Sequence, residues 1–236
     1  MGYLPATVLT SDTVEQLQSL LDRMIPAGVK ASVSRITDRE ASFEYPEEAQ
    51  KLAKAVPKRR NEFIAGRRCA RAALAQMGLQ PRAMPPDERR APQWPVGTVG
   101  SISHSIELCC AVASHSNTIA CLGVDLETTT RISSGVIERV LHPLEVDFVS
   151  DDKAYGSLIF SAKEAFFKAQ HPVWEAWPNF EDLAFEVDTS TNRLNVIEVA
   201  AHLPSGLRSA TQRMQFRYAF FDNYVLTLCW LNSCSS

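Results

Sequence analysis

Two carboxylates sit two residues apart in the segment Gly123-Val-Asp-Leu-Glu127. In a β-strand, residues i and i+2 point to the same side, so Asp125 and Glu127 would project together. Held side by side without a basic neighbour, they repel unless a cation lies between them. Hard oxygen ligands of this kind suit Mg2+, which keeps part of its water shell and commonly bridges to substrate phosphates. The alternative is an exposed strand end carrying two solvated charges. A second constellation is Phe160-Ser-Ala-Lys-Glu-Ala-Phe-Phe-Lys168, in which Glu164 and Lys168 fall one helical turn apart. On a surface such a pair is an ordinary salt bridge contributing ~0.2–0.5 kcal/mol. Beside Asp125 and Glu127, Glu164 becomes a third metal carboxylate or a general base, with lysines nearby for phosphate.

Two further stretches could hold an anion. In WPVGTVGSISHS, residues 94–105, small residues surround Ser103 and His104, so a bulky anion could approach the backbone. A serine hydrolase is disfavoured: there is no GxSxG, and adjacent strand residues face opposite ways. His104 is then either a structural histidine or a donor to phosphate. The other stretch, KRRNEFIAGRRCARAAL (58–74), carries Lys58, Arg59, Arg60, Arg67, Arg68 and Arg71 on and before one helix. Between Lys51 and Arg90 there are eleven basic and three acidic residues, although the whole chain is at −3. A solvated helix face would give the same pattern. Nucleic acid is a poor partner, because no aromatic platform accompanies the arginines and the chain is acidic overall. Discrete phosphates on a small ligand fit the rigid guanidinium fork better. No P-loop, GxGxxG or zinc spacing is present.

The elements that must position these residues follow from periodicity and punctuation. Val14, Leu17, Leu20, Leu21 and Met24 give a helix over 12–24. Pro57 opens a second helix running to Met77, stopped by Gly78 and Pro81. Residues 79–97 form a Pro-rich loop, followed by strands at 99–104, 108–114 and 119–126. A third helix fits 157–170, closed by His171-Pro172, and strands follow at 194–200, 214–221 and 224–231, the last two joined by an Asp222-Asn223 hairpin. The expected architecture is α+β: two small halves, 1–117 with the arginines and the Ser-His motif and 118–236 with the carboxylates and KExxxK helix. With 236 residues, 45% of them hydrophobic and 22% charged, the chain can bury a core unaided. Its longest apolar runs fall well short of the ~20 residues that span a bilayer. Gly2 lacks the myristoylation pattern because of Ala6, and six cysteines without CxxC spacing read as free thiols of a reducing compartment. The expectation is a cytoplasmic protein.

KRRNEFIAGRRCARAAL, RAPQWPVGTVGSISHS, GVDLE and FSAKEAFFKA, in that order and ending with PNFEDLAFEV, resemble the 4'-phosphopantetheinyl transferases. Within that family the match is to the surfactin-type group and its enterobactin synthase component D branch, over residues 58–187. The resemblance implies two pseudo-twofold-related α+β halves with coenzyme A and Mg2+ in the cleft between them. It implies transfer of phosphopantetheine from CoA to a serine of an acyl or peptidyl carrier protein, releasing 3',5'-ADP, for siderophore, nonribosomal-peptide, polyketide or fatty-acid synthesis. Carried over residue by residue, Asp125, Glu127 and Glu164 are metal ligands, with the Leu126 carbonyl as an addition, and Glu164 is the base for the carrier serine. Arg59 and Arg67 match arginines that bind CoA phosphate, with Arg60 in reserve, and Arg89 and Arg90 fill the basic slot before Pro-x-Trp-Pro. Ser103, His104, Lys163 and Lys168 match positions contacting CoA phosphates, and Lys168 joins Glu164 as catalytic. Glu107 departs from the pattern and would repel a phosphate unless it faces away. Two halves in one chain remove the need for a partner subunit, so a monomer is expected. The rivals are a non-catalytic CoA- or carrier-binding protein and a metal-dependent phosphohydrolase.

Overall fold

The computed structural model describes residues 11–37, 42–50, 52–130, 133–150 and 152–234. Gly2, Ala6 and Lys51 lie outside them. Helix α1 (Ser11–Met24) buries Leu17 and Leu21 completely, as its apolar spacing requires. Strand β1 (Val29–Arg35) follows, and its Val29, Ala31 and Val33 face inward while Lys30 faces out. The sequence reading missed this strand, because an alternation built on three small apolar residues is a weak signal. After the short α2 (Pro46–Gln50) comes α3 (Pro57–Ala75), which ends two residues early and leaves Gly78 to turn the chain at φ +79°. Strands β2 (Thr98–Ser105), β3 (Leu108–His115) and β4 (Ile119–Thr128) each run one or two residues beyond their expected ends.

β1, β3 and β2 form one antiparallel sheet in the order β1-β3-β2. Its central strand is buried on both faces. Cys109, Ala111 and Ala113 meet α3, and Leu108, Cys110 and Val112 meet α1 and the second sheet. β4 instead opens a five-stranded antiparallel sheet, with β5 (Leu183–Asp188), β6 (Arg193–Val199), β7 (Gln215–Phe221) and β8 (Tyr224–Asn232), in the order β4-β8-β7-β6-β5. The hairpin at Asp222-Asn223 is present, with Asp222 at φ 49°. The short helices α4 (Ser134–Val140) and α5 (Val146–Val149) lead into α6, and α7 (Ser205–Thr211) links β6 to β7.

Helix α6 (Lys153–Trp174) lies across β4 and β8 and packs Leu158, Ala162 and Phe166 against Val225 and Cys229. The Asp152 carboxylate caps its start by accepting from the Ala154 and Tyr155 N–H groups. The helix was expected to stop before His171-Pro172, but it continues to Trp174. Pro172 removes only the bond its own missing N–H would give to the Lys168 carbonyl. The last turn then closes with the Glu175 N–H on the His171 carbonyl at 3.0 Å. All six cysteines are unbridged and only Cys234 is exposed. No helix among the described residues is long and apolar enough to cross a membrane.

Candidate active site

A cleft of about 900 Å3 opens between α3 and the 87–92 turn on one side and β4 and α6 on the other. Asp125, Glu127, Glu164, Lys168, Ser103, His104, Arg59, Arg67, Arg89 and Arg90 all line it. The β4–α6 wall is tight because residue 123 is glycine: a Cβ there would collide with the Ala165 carbonyl. That approach brings the Lys168 ammonium onto the Asp125 carboxylate at 2.5 Å. Ser103 completes the knot, with its hydroxyl donating to Asp125 Oδ1 at 2.9 Å and accepting from the Leu126 N–H at 3.1 Å and Lys168 Nζ at 3.0 Å.

The electrostatics of this wall follow from burial and proximity. Burial pushes the Glu164 carboxyl up, the Lys168 charge pulls it down and the Asp125 charge pushes it up again; the balance is above the usual carboxylate range. Burial works against the Lys168 ammonium, yet the Asp125 and Glu164 carboxylates outweigh it and hold its pKa above the ordinary lysine value. Asp125 Oδ2 is buried and accepts no hydrogen bond. An orphaned carboxylate oxygen beside Glu127 and Glu164 fits a hard cation, and the all-oxygen donor set fits Mg2+. Among the described residues, however, no three acidic, His or Cys side chains already converge on one point as a formed cation cage.

The opposite wall supplies the positive charge. Arg67 is 5% exposed, its Nε donating to the Met84 carbonyl at 2.6 Å and its guanidinium resting over the Phe63 ring, 4.1 Å from its centroid. Burial lowers its pKa to about 10, so it stays charged near neutrality. Arg59 Nη1 lies 3.3 Å from His104 Nε2 and 3.5 Å from Glu62. A guanidinium can only donate, so His104 accepts at Nε2 and carries its proton on Nδ1. Burial also lowers the His104 pKa, which keeps the ring neutral. Arg89 reaches across the cleft to Glu175, just past the end of α6, at 3.1 Å. Arg90 sits beside it at φ 69°, in a turn where the Asp87 carboxylate accepts from the Arg89 and Ala91 N–H groups.

Three expectations need correction. Lys163 does not face the cleft. It is 4% exposed on another side of α6, where its ammonium donates to Glu145 at 2.6 Å and the Val140 carbonyl at 2.8 Å. Adjacent helical residues leave the axis about 100° apart, and here Glu164 lines the cleft while the Lys163 ammonium is turned away to Glu145. Ser103 has no capacity left for a phosphate, since its one O–H and both lone pairs are engaged; it positions Asp125 and Lys168 instead. Arg60 lies outside the cleft lining, its guanidinium 5.7 Å from the Phe43 ring. The Leu126 side chain is wholly buried in the core between the sheets.

Part of the basic run is also structural. Arg71 is 6% exposed and pairs with Glu48 at 2.7 Å and Glu44 at 2.8 Å, and Arg68 pairs with Glu44 at 2.7 Å. Glu107 does face away, ion-paired to Arg35 at 2.7 Å. The sequence reading missed Glu62 and Glu175, the acids that hold Arg59 and Arg89. Glu62 was findable as an acid three residues after Arg59; Glu175 carried no local signal.

Residues 47–114 match the family model for the 4'-phosphopantetheinyl transferase N-terminal domain, and residues 121–229 match the 4'-phosphopantetheinyl transferase superfamily model. The 4'-phosphopantetheinyl transferase Npt of Nocardia iowensis is 36% identical over 72% of this chain and 78% of its own length. PptT of Mycobacterium tuberculosis is 37% identical over 80% of this chain and 81% of its own. The enterobactin synthase component D of Salmonella typhi, from the branch the motifs suggested, matches at the lower identity of 30%, over 75% of this chain and 74% of its own. With these models matched over most of its length and its carboxylates, lysine and arginines gathered around one cleft, the chain belongs to the 4'-phosphopantetheinyl transferase superfamily.

Proposed function

We propose that this transferase works in the cleft between two α+β halves, residues 1–117 and 118–236, each with a long helix on a sheet. The observation that carries the reading is the knot of Asp125, Lys168 and Ser103, with Glu164 on the same wall, facing the arginines across one cavity. Coenzyme A would lie along the cleft, with Arg59, Arg67 and His104 toward its phosphates and Arg89 and Arg90 at the rim. Asp125, Glu127 and Glu164, with the Leu126 carbonyl, would hold Mg2+, which when bound offsets the pyrophosphate charge and polarises the phosphoryl oxygens.

The remaining work falls to side chains. Glu164, its carboxyl pushed up by burial, is suited to take the proton of the carrier serine as its oxygen attacks the β-phosphorus. The bond from that phosphorus to the bridging oxygen breaks, and 3',5'-ADP leaves. Lys168, held charged by Asp125, faces the developing phosphoryl charge. The acceptors are acyl or peptidyl carrier proteins of siderophore, nonribosomal-peptide, polyketide or fatty-acid synthesis. The chain would act as a monomer in the cytoplasm, a reducing compartment that suits its unbridged cysteines.

Intact mass spectrometry tests the reading. Several apo-carriers, acyl and peptidyl, are incubated with the protein and CoA, with Mg2+ or with chelator. The expected result is a phosphopantetheine adduct on at least one carrier, lost with chelator and restored by Mg2+. No adduct on any carrier overturns the reading, and full transfer under chelation overturns the metal assignment.

A further inference from the structure

Away from the cleft, β6 and β7 pair only at Arg193–Arg217 and Leu194–Phe216 before they diverge. The gap between them is a polar crevice of about 200 Å3. Arg193 and Arg217 are directly opposite each other, so both guanidinium groups start from the same face of the sheet, with Cβ atoms roughly 5 Å apart. Like charges so placed repel unless something compensates them. Among the described residues, neither arginine has a carboxylate within ion-pair distance, and the Arg193 side chain makes no hydrogen bond. The nearest acid by register, Asp188, is occupied elsewhere. Its carboxylate accepts from the backbone N–H and hydroxyl groups of Ser190 and Thr191 at 2.6–3.2 Å.

Trp230 also lines the crevice; it is 2% exposed, and its indole N–H is buried with no acceptor. The Arg217 guanidinium lies 5.3 Å from the Trp230 ring centroid, and its Nη1 is fixed on the Met24 carbonyl at 2.9 Å. The side-chain amides of Asn195, Gln212 and Gln215 complete the polar lining, which contains no acid. Two arginines and three amide-bearing residues make the polar part of the crevice rich in donors and suited to an acceptor-rich anion.

We propose that the β6–β7 crevice is a second anion site, built for a small tetrahedral oxyanion of the phosphate class and separate from the catalytic cleft. Occupancy would relieve the Arg193–Arg217 repulsion and tie the end of α1 to the second sheet through Arg217.

The test is a thermal-shift titration with inorganic phosphate, in chelator and saturating CoA so that the catalytic cleft is already filled. Chloride at matched ionic strength serves as the reference. The wild type should show a saturable rise in melting temperature with phosphate and none with chloride. Arg193→Gln, which removes an exposed side chain and leaves the packing intact, should weaken the phosphate response about tenfold or more while kcat for transfer stays unchanged. An equal rise with chloride, or an unaltered phosphate response in Arg193→Gln, overturns the proposal. So does a rise in the carrier's KM in Arg193→Gln without any phosphate response, which would make the crevice a contact for an acidic carrier surface. The stabilisation by CoA alone is read in the same experiment, so failure of the crevice and failure of the CoA reading are separable.

Discussion

On the β4–α6 wall of the cleft, Asp125 is 2% exposed, Lys168 lies on it, and Ser103 has spent every hydrogen bond it can make. On the facing wall, the side chains of Arg59 and Arg89 are 49% and 45% exposed, and each is held by one acid at 3.1–3.5 Å. One wall is pre-set and the other adjustable. Groups that stabilise a transition state gain by being fixed before substrate arrives, because their reorganisation would otherwise add to the barrier. Groups that capture a phosphate from solution can trade a weak surface partner for a stronger one, since exposed ion pairs contribute only ~0–1 kcal/mol. Arg67 stands between these extremes, buried on a carbonyl and a ring yet lining the cavity.

Four experiments probe this contrast. Glu164→Gln keeps the shape of the fixed wall and removes the carboxylate proposed as its base, so kcat should fall about 10²–10⁴-fold with CoA affinity retained. Near wild-type turnover in a stopped assay would make the fixed wall a scaffold rather than the chemical centre. Lys163→Met breaks the buried pair with Glu145 on the far side of the same helix. That costs ~3–5 kcal/mol and lowers Tm by on the order of 10 °C, while the folded fraction binds CoA as before. Calorimetry should show most of the loss recovered when Glu145→Leu is added. A variant with normal Tm and weakened CoA binding would put Lys163 back among the phosphate contacts.

On the adjustable wall, Arg67→Ala should weaken CoA binding about 10- to 150-fold, and Arg59→Ala should sit at the low end of that range. If they read the 3'-phosphate, titration with dephospho-CoA shows little change; equal losses for both ligands would move them to the pyrophosphate. The smallest effect concerns His104. Its pKa is lowered by burial from an ordinary 6.5. Below that value the unfolded chain takes up a proton that the folded chain resists, so this site's contribution to stability falls as pH drops. His104→Gln should therefore narrow the gap in Tm between pH 7 and pH 5 by a few degrees. An unchanged gap would mean that the ring is solvated and the wall is looser than the distances indicate.

Much of this site was legible in the chain. The Asp125–Glu127 spacing on a strand and the Glu164–Lys168 spacing on a helix each fixed a shared face, and all four side chains line one cavity. The long helices and six of the eight strands were readable from apolar period and from Pro and Gly punctuation. β1 was not, because alternation over three small apolar residues resembles a loop. β5 (Leu183–Asp188) was quoted only within a motif, and the course of α6 beyond Pro172 depended on a single missing hydrogen bond.

Periodicity thus determined which side chains share a face, because it depends on the local geometry of a helix or strand. Which partners meet those faces is set by residues far away in sequence, and only the tertiary structure decided that. Ser103 meets Asp125 and Lys168 across 22 and 65 residues, and Glu145 captures Lys163 across 18. Glu107 is turned outward by Arg35 across 72. A hydroxyl, an ammonium or a carboxylate has one small set of hydrogen bonds to give, and the neighbour that claims them decides whether the group holds the site in place or faces the substrate.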